Sequence, residues 1–268
     1  MFTPEERSAL REALLDRARS DGEISAAAIT GSVARDAEDR WSDIDLAFAV
    51  VPGVEVSTVL ERWGEAMASE HGAITSLDVP HGATTYRVFL LANGLQVDLA
   101  FSPAPEFRAL APTFRLVFGE SAPPRHAPPP TADRIIGLAW LHALHVRSAL
   151  ARGRTWQAEW MLSATRDHVL SLACLRHDLP AHQARGTDDL PAAVTAPLAD
   201  ALPRTLAPVD LAASFEAVIE SLLREIEIHD LDLATSLTPT LRALASDTRA
   251  ALEESRGGEA RPSVDGSP

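Results

Sequence analysis

The amino-acid sequence predicts an α+β protein: strands and helices share the N-terminal part, and helices alone fill the C-terminal part. Three observations lead there. In the first part short apolar or alternating runs are interleaved with helical periodicity. In the second nearly every segment repeats its apolar residues at helical spacing. Between them lies GESAPPRHAPPP, Gly119 to Pro130, whose five prolines exclude helix and central strand and favour a stiff, extended linker. The expected division is residues 1–122, a linker over 123–130, a helical domain over 131–255, and a polar, Gly- and Pro-containing tail over 256–268 that is expected to be disordered.

The elements follow in order. Thr3 is a good N-cap, Pro4 suits the first helical position and Glu6 completes a capping box, so a helix is predicted from about Pro4 to Ser20 with Leu10, Leu14 and Ala18 on one face. SAAAIT, Ser25 to Thr30, reads as a strand, and Gly31-Ser32 then turn the chain into a brief helix. SDIDLAFAVV is a second strand, STVLERWGEAMASE an amphipathic helix and AITSLDV a third strand. In TTYRVFLLANGLQVDLAF two strands flank Asn93-Gly94, a pair suited to a type I′ turn. Beyond the linker, helices are predicted over about 132–152, 156–177, 188–201, 211–230 and 239–254.

Composition narrows the classes. The 268 residues are 46% hydrophobic, enough for a substantial core, and no apolar run approaches the roughly 20 residues of a membrane span. The charged N-terminus is no secretory leader, and the single cysteine, Cys174, excludes an internal disulfide, so the cytoplasm is expected. A net charge of −14 disfavours sequence-independent nucleic-acid binding and would attract a cationic partner. No lysine is present, so any phosphate contact from a basic side chain must come from arginine.

The chemistry concentrates in ITGSVARDAEDRWSDIDLAF, Ile29 to Phe48. A strand alternates faces with period two. Asp43, Asp45, Ala47 and Ala49 therefore oppose the apolar Ile44, Leu46, Phe48 and Val50, and Asp98 likewise opposes Val97 and Leu99 in the last hairpin strand. If the two strands are neighbours, three carboxylates converge. Such a cluster repels itself unless a cation neutralises it, and oxygen ligands suit a hard divalent ion such as Mg²⁺. Ala47, Ala49 and Ala100 beside the aspartates would leave room for a ligand. Gly31 and Ser32 open a helix and could receive a phosphate, with Arg35 one turn on adding positive charge.

GSVARDAEDRWSDIDLAF resembles the signature of the nucleotidyltransferase superfamily, the polymerase-beta-like fold that includes aminoglycoside and lincosamide nucleotidyltransferases and minimal nucleotidyltransferase antitoxins. The resemblance covers roughly residues 24–101. It implies a mixed sheet with flanking helices, Mg²⁺ held by Asp43, Asp45 and Asp98, and NTP phosphates contacted by Gly31 and Ser32. It further implies Mg-dependent transfer of a nucleoside monophosphate, AMP above all, from NTP to a hydroxyl of a small molecule, with an aminoglycoside-like cationic acceptor suggested by the acidic balance. The active site would then lie between the two domains. Two other functions fit the same residues: modification of a protein or tRNA, and nucleotide binding without catalysis. Oligomeric state is not legible in the sequence.

In the helical half, Glu159, Ser163 and Arg166 share one side of a predicted helix. By analogy with kanamycin-modifying members, Glu159 is the candidate general base; the plainer alternative is a solvated face with a Glu159–Arg166 attraction. His142 and His145 could share a metal but lack a third ligand. Trp140, Trp156 and Trp160 are expected in the core rather than stacked on a ligand, and Cys174 is expected to be buried. GTDDLP reads as a loop feeding a helix, with Thr187 or Asp188 as its cap.

Overall fold

Six strands and seven α-helices make up the described residues of the computed structural model, which are 1–126 and 128–259, with side chains through 252. The chain divides into two units, Met1–Pro128 and Pro129–Pro268. The fold is α+β, a mixed sheet with helices in the first unit and helices in the second.

In the first unit, helix α1 (Pro4–Ser20) is followed by β1 (Ile24–Thr30), β2 (Ile44–Val50), α2 (Val56–His71), β3 (Ala73–His81), β4 (Thr84–Leu91), β5 (Gln96–Pro103) and β6 (Phe114–Phe118). The capping box forms: Glu6 N donates to Thr3 Oγ1 at 3.2 Å, and Thr3 N donates to the Glu6 carboxylate at 2.8 Å. The strand order is β3-β4-β5-β2-β1-β6, and every pair is antiparallel except β2 with β5.

One face of the sheet is the core. Ile44, Leu46, Phe48 and Val50 of β2 and Val97, Leu99 and Phe101 of β5 pack with Leu14 and Leu15 of α1 and with Val59, Trp63 and Met67 of α2. The Trp63, Phe48 and Phe101 rings lie 4.8–5.5 Å apart, an offset aromatic cluster at its centre. The buried stripe of α1 also contains Arg7 and Arg11. Arg7 donates to the carbonyls of Asp39 (2.6 Å) and Ser42 (2.9 Å), and both arginines meet the Glu38 carboxylate. Arg7 thus satisfies two carbonyls of the loop that leads from the Gly-Ser turn to β2, and Arg11 joins it in holding the Glu38 side chain.

Several expectations need correction. The β4–β5 connection is a three-residue loop, not a two-residue type I′ turn. Leu91 N donates to Leu95 O and Gly94 N to Leu91 O, both at 2.9 Å, and Gly94 alone has positive φ (84°). This is the pattern of a turn closed by a left-handed glycine. The brief helix after Ser32 is a three-residue 3₁₀ turn, Val33–Arg35, too short to build a macrodipole. Strand β6 has no counterpart in the sequence reading. Ala49 does not leave open space, because it is buried with Ala26 and Ala28 against Phe107.

In the second unit, α3 (Ala132–Ala151) and α4 (Thr155–Arg176) form a hairpin, followed by α5 (Ala192–Asp200), α6 (Pro208–His229) and α7 (Leu231–Glu259). The core joins Ala143 and Val146 of α3, Leu162 and Val169 of α4, Phe215 and Leu222 of α6, and Leu241 of α7. Arg176 and Glu225 form a two-pronged ion pair at 2.8 and 3.1 Å. Helix α7 starts eight residues before the expected Pro239, because Asp230 caps it through Leu233 N (2.9 Å) and Pro239 is carried inside. Thr187 and Asp188 do not cap α5; they form a 3₁₀ turn, and Pro191 precedes the helix. Cys174 is buried, whereas Trp156, Trp160 and Trp140 are 76%, 61% and 37% exposed and do not fill the core. Of the tail expected to be disordered, residues 256–259 continue α7, and the rest lies outside the described residues. No helix among the described residues is long and apolar enough to cross a membrane.

Candidate active site

The parallel pairing of β2 with β5 sets Asp45 directly opposite Asp98. Paired residues in a sheet share a face, so both carboxylates project away from the aromatic core. Asp43 precedes β2 by one residue and points the same way by period two. The three side chains are half-buried, and one oxygen from each lies within 4.8 Å of the others.

Three carboxylates this close are costly together. Burial pushes the Asp98 carboxyl above its ordinary range; the Gln96 amide, donating at 3.0 and 3.2 Å, works against that shift, and the Asp43 charge adds to it. Tyr86 of β4 stands two residues from Val88, the β4 partner of Asp98, on the same face. Burial, then the Asp45 charge, raise its phenol. Neither Gln96 nor Tyr86 entered the sequence-derived site, although the period-two rule places Gln96 beside Asp98.

On the other side of β2, β1 ends at Thr30 and is followed by Gly31, whose φ of 67° lies in the left-handed region. A Cβ there would collide with the Asp45 carboxyl group, approaching its Cγ to 2.7 Å. Gly31 is therefore required twice, by its backbone and by the carboxylate packed on it. Ser32 follows with its Oγ buried and without a hydrogen-bond partner. A buried hydroxyl left unpaired is expensive, and this one has its donor free for an oxyanion. Arg35 is exposed and makes no ion pair among the described residues. Together the three carboxylates fit a divalent metal such as Mg²⁺, and the unpartnered Ser32 hydroxyl fits an oxyanion beside it.

Glu159 belongs to the second unit. It is half-buried on α4 and makes no ion pair with Arg166, which donates instead to Ser163 Oγ at 2.9 Å. The other nitrogen of that guanidinium, Nη1, is buried without a partner. His142 is matched not with His145 but with His168, which sequence spacing could not reveal: the rings stack 9° from parallel with Nδ1 and Nε2 3.1 Å apart.

No protein-family model matches the chain, and comparison with curated proteins finds no match. One solved structure found to be similar is an aminoglycoside 6-adenyltransferase from Bacillus subtilis. It aligns over 91% of this chain and 99% of its own at 13% identity, with a TM-score of 0.40. A likeness that distant says nothing about the chemistry at the carboxylates.

Proposed function

We propose that the protein is a Mg²⁺-dependent nucleotidyltransferase that moves a nucleoside monophosphate, AMP in the first instance, from NTP to a hydroxyl of a small molecule. One observation supports this above the rest: Asp45 and Asp98 on adjacent parallel strands converge with Asp43, one residue ahead of β2, beside a glycine turn whose serine hydroxyl is buried and unpaired. Asp43, Asp45 and Asp98 would hold the metal. Bound there, Mg²⁺ would neutralise the carboxylates and stabilise charge on the phosphoryl oxygens. Ser32 would donate to a phosphate oxygen, Gly31 would let the backbone approach, and Arg35 would add a mobile positive charge. In the transfer a bond forms between the acceptor oxygen and the α-phosphorus, the bond to the β-phosphate oxygen breaks, and pyrophosphate leaves. The hydroxyl proton needs an acceptor that is not a metal ligand, and we assign that role to the Glu159 carboxylate.

Calorimetry tests the nucleotide site. Mg-ATP should bind the wild type, and Asp45→Asn should abolish the dependence of that binding on Mg²⁺. Ser32→Ala should weaken it roughly ten- to a hundredfold, the value of a charge-assisted hydrogen bond. Mg-ATP affinity indifferent to both Asp45→Asn and chelation would sink the reading. Glu159→Gln should cut kcat by at least about a hundredfold with Mg-ATP affinity intact. An unchanged kcat would return Glu159 to a surface role.

A further inference from the structure

The strand order separates the two sides of the carboxylate cluster. The Gly-Ser turn follows β1, on one side of β2, while β4 lies on the other side, beyond β5. In an in-line displacement the acceptor and the leaving pyrophosphate occupy opposite sides of the phosphorus. With phosphates at Ser32, the side left for the acceptor would be that of β4. On the face of the carboxylates, β4 presents Val88, Tyr86 and Thr84 in succession, and Thr84 Oγ1 is hydrogen-bonded to Ser102 Oγ at 2.9 Å. At that end lies a hollow of about 380 Å³ lined by His81, Thr84, Glu106, Arg108, Arg125 and His126, among others.

The charge of this hollow departs from that of the chain. The whole molecule carries −14, yet the ionisable groups here are two arginines, two histidines and one glutamate. The glutamate is already engaged, since Arg108 Nη2 reaches the Glu106 carboxylate at 3.3 Å. Arg108 is also fixed in place, donating to Pro105 O at 2.7 Å with its side chain only 19% exposed. The Arg125 guanidinium has no hydrogen bond or ion pair among the described residues. A preset guanidinium beside a second without a counter-ion suits a phosphate or carboxylate.

We propose that this hollow is an anion site that takes the phosphate or carboxylate group of the acceptor, an inference that rests on the transferase reading for its second half. Thr84 lies four residues along β4 from Val88, the partner of Asp98, so the anionic group would sit on the order of 13 Å from the reacting hydroxyl. The acceptor is then an anionic hydroxyl compound, not the cationic one that the overall charge suggested.

Inorganic phosphate titrated into the full chain by calorimetry decides the first half. The wild type should bind it saturably, Arg125→Ala should weaken binding roughly tenfold or more, and Arg19→Ala, which removes an exposed guanidinium outside the hollow, should leave it unchanged. No saturable binding, or binding unaltered by Arg125→Ala, overturns the site. A pyrophosphate-release screen with Mg-ATP decides the second half. Turnover should favour hydroxyl compounds bearing a phosphate or carboxylate over the same compounds without it. Preference for neutral or cationic acceptors, an aminoglycoside included, overturns the acceptor role. Absence of turnover in every class counts against the transferase reading instead, and the phosphate titration still judges the hollow.

Discussion

Asp98 concentrates the tension of the site in one side chain. It is held half-buried opposite Asp45 and facing the Asp43 charge, with only the Gln96 amide to favour its ionised form. A carboxyl whose folded pKa is raised holds its proton more tightly in the fold than in the unfolded chain. The metal-free protein should therefore gain stability as pH falls from that raised value towards the ordinary aspartate value of about 3.9. Asp98→Asn removes the charge and keeps the shape. It should raise the Tm of the metal-free protein at neutral pH by a few degrees, about 2–4 °C, while abolishing transfer. A fall in Tm would mean that the ionised carboxylate stabilises the metal-free fold despite the repulsion around it.

Among elements, the junction of α1, β1 and α2 depends on Asp21. Its carboxylate accepts from Trp63 Nε1 at 3.0 Å, Arg62 Nη2 at 3.1 Å and Glu23 N at 3.1 Å. Burial tends to raise its pKa, but Arg62, the Glu23 N–H and the indole outweigh burial and hold it below the usual carboxylate range. A depressed pKa contributes stability above the unfolded value that is lost as pH falls through the folded one. The Tm gap between wild type and Asp21→Asn should thus be widest near neutrality and narrow as pH falls below the ordinary aspartate value of about 3.9. A gap that stays constant would assign the effect to packing. This junction was not legible in the sequence, because its partners lie some forty residues apart. What could be read followed local periodicity: α1 with its capping box, the Asp-x-Asp strand and the run of helices. Strand β6 escaped because its five residues pair only with β1 at the sheet edge, which no local pattern announces. Arg7 and Arg11 escaped for the opposite reason. They sit at helical spacing with Leu14, Leu15 and Ala18 but are charged, and only the folded loop shows why they are buried: Arg7 meets its carbonyls and both meet Glu38.

At the scale of the whole molecule, each unit has its own core, and the described hydrophobic clusters contain no residue from both. Gly31, Ser32, Asp43, Asp45 and Asp98 all belong to residues 1–128, and Glu159 does not. Binding and proton removal would therefore be assigned to different units. Residues 1–128 expressed alone should bind Mg-ATP within about threefold of the full chain, a difference of less than about 1 kcal/mol, and should release no pyrophosphate with any acceptor. Loss of binding in a fragment that keeps its circular-dichroism spectrum would show that the helical unit contributes to the nucleotide site.

The contact between Gly31 and Asp45 also bears on how this protein can be altered in the laboratory. A saturation library at position 31 would yield a single survivor, since every other residue brings a Cβ into the carboxyl group. Shortening position 45 to make room would remove the carboxylate that the turn is packed against. No second-site change at 45 can rescue a first at 31, so an engineer changing the substrate range should leave both codons untouched and randomise β4 and the hollow at its end.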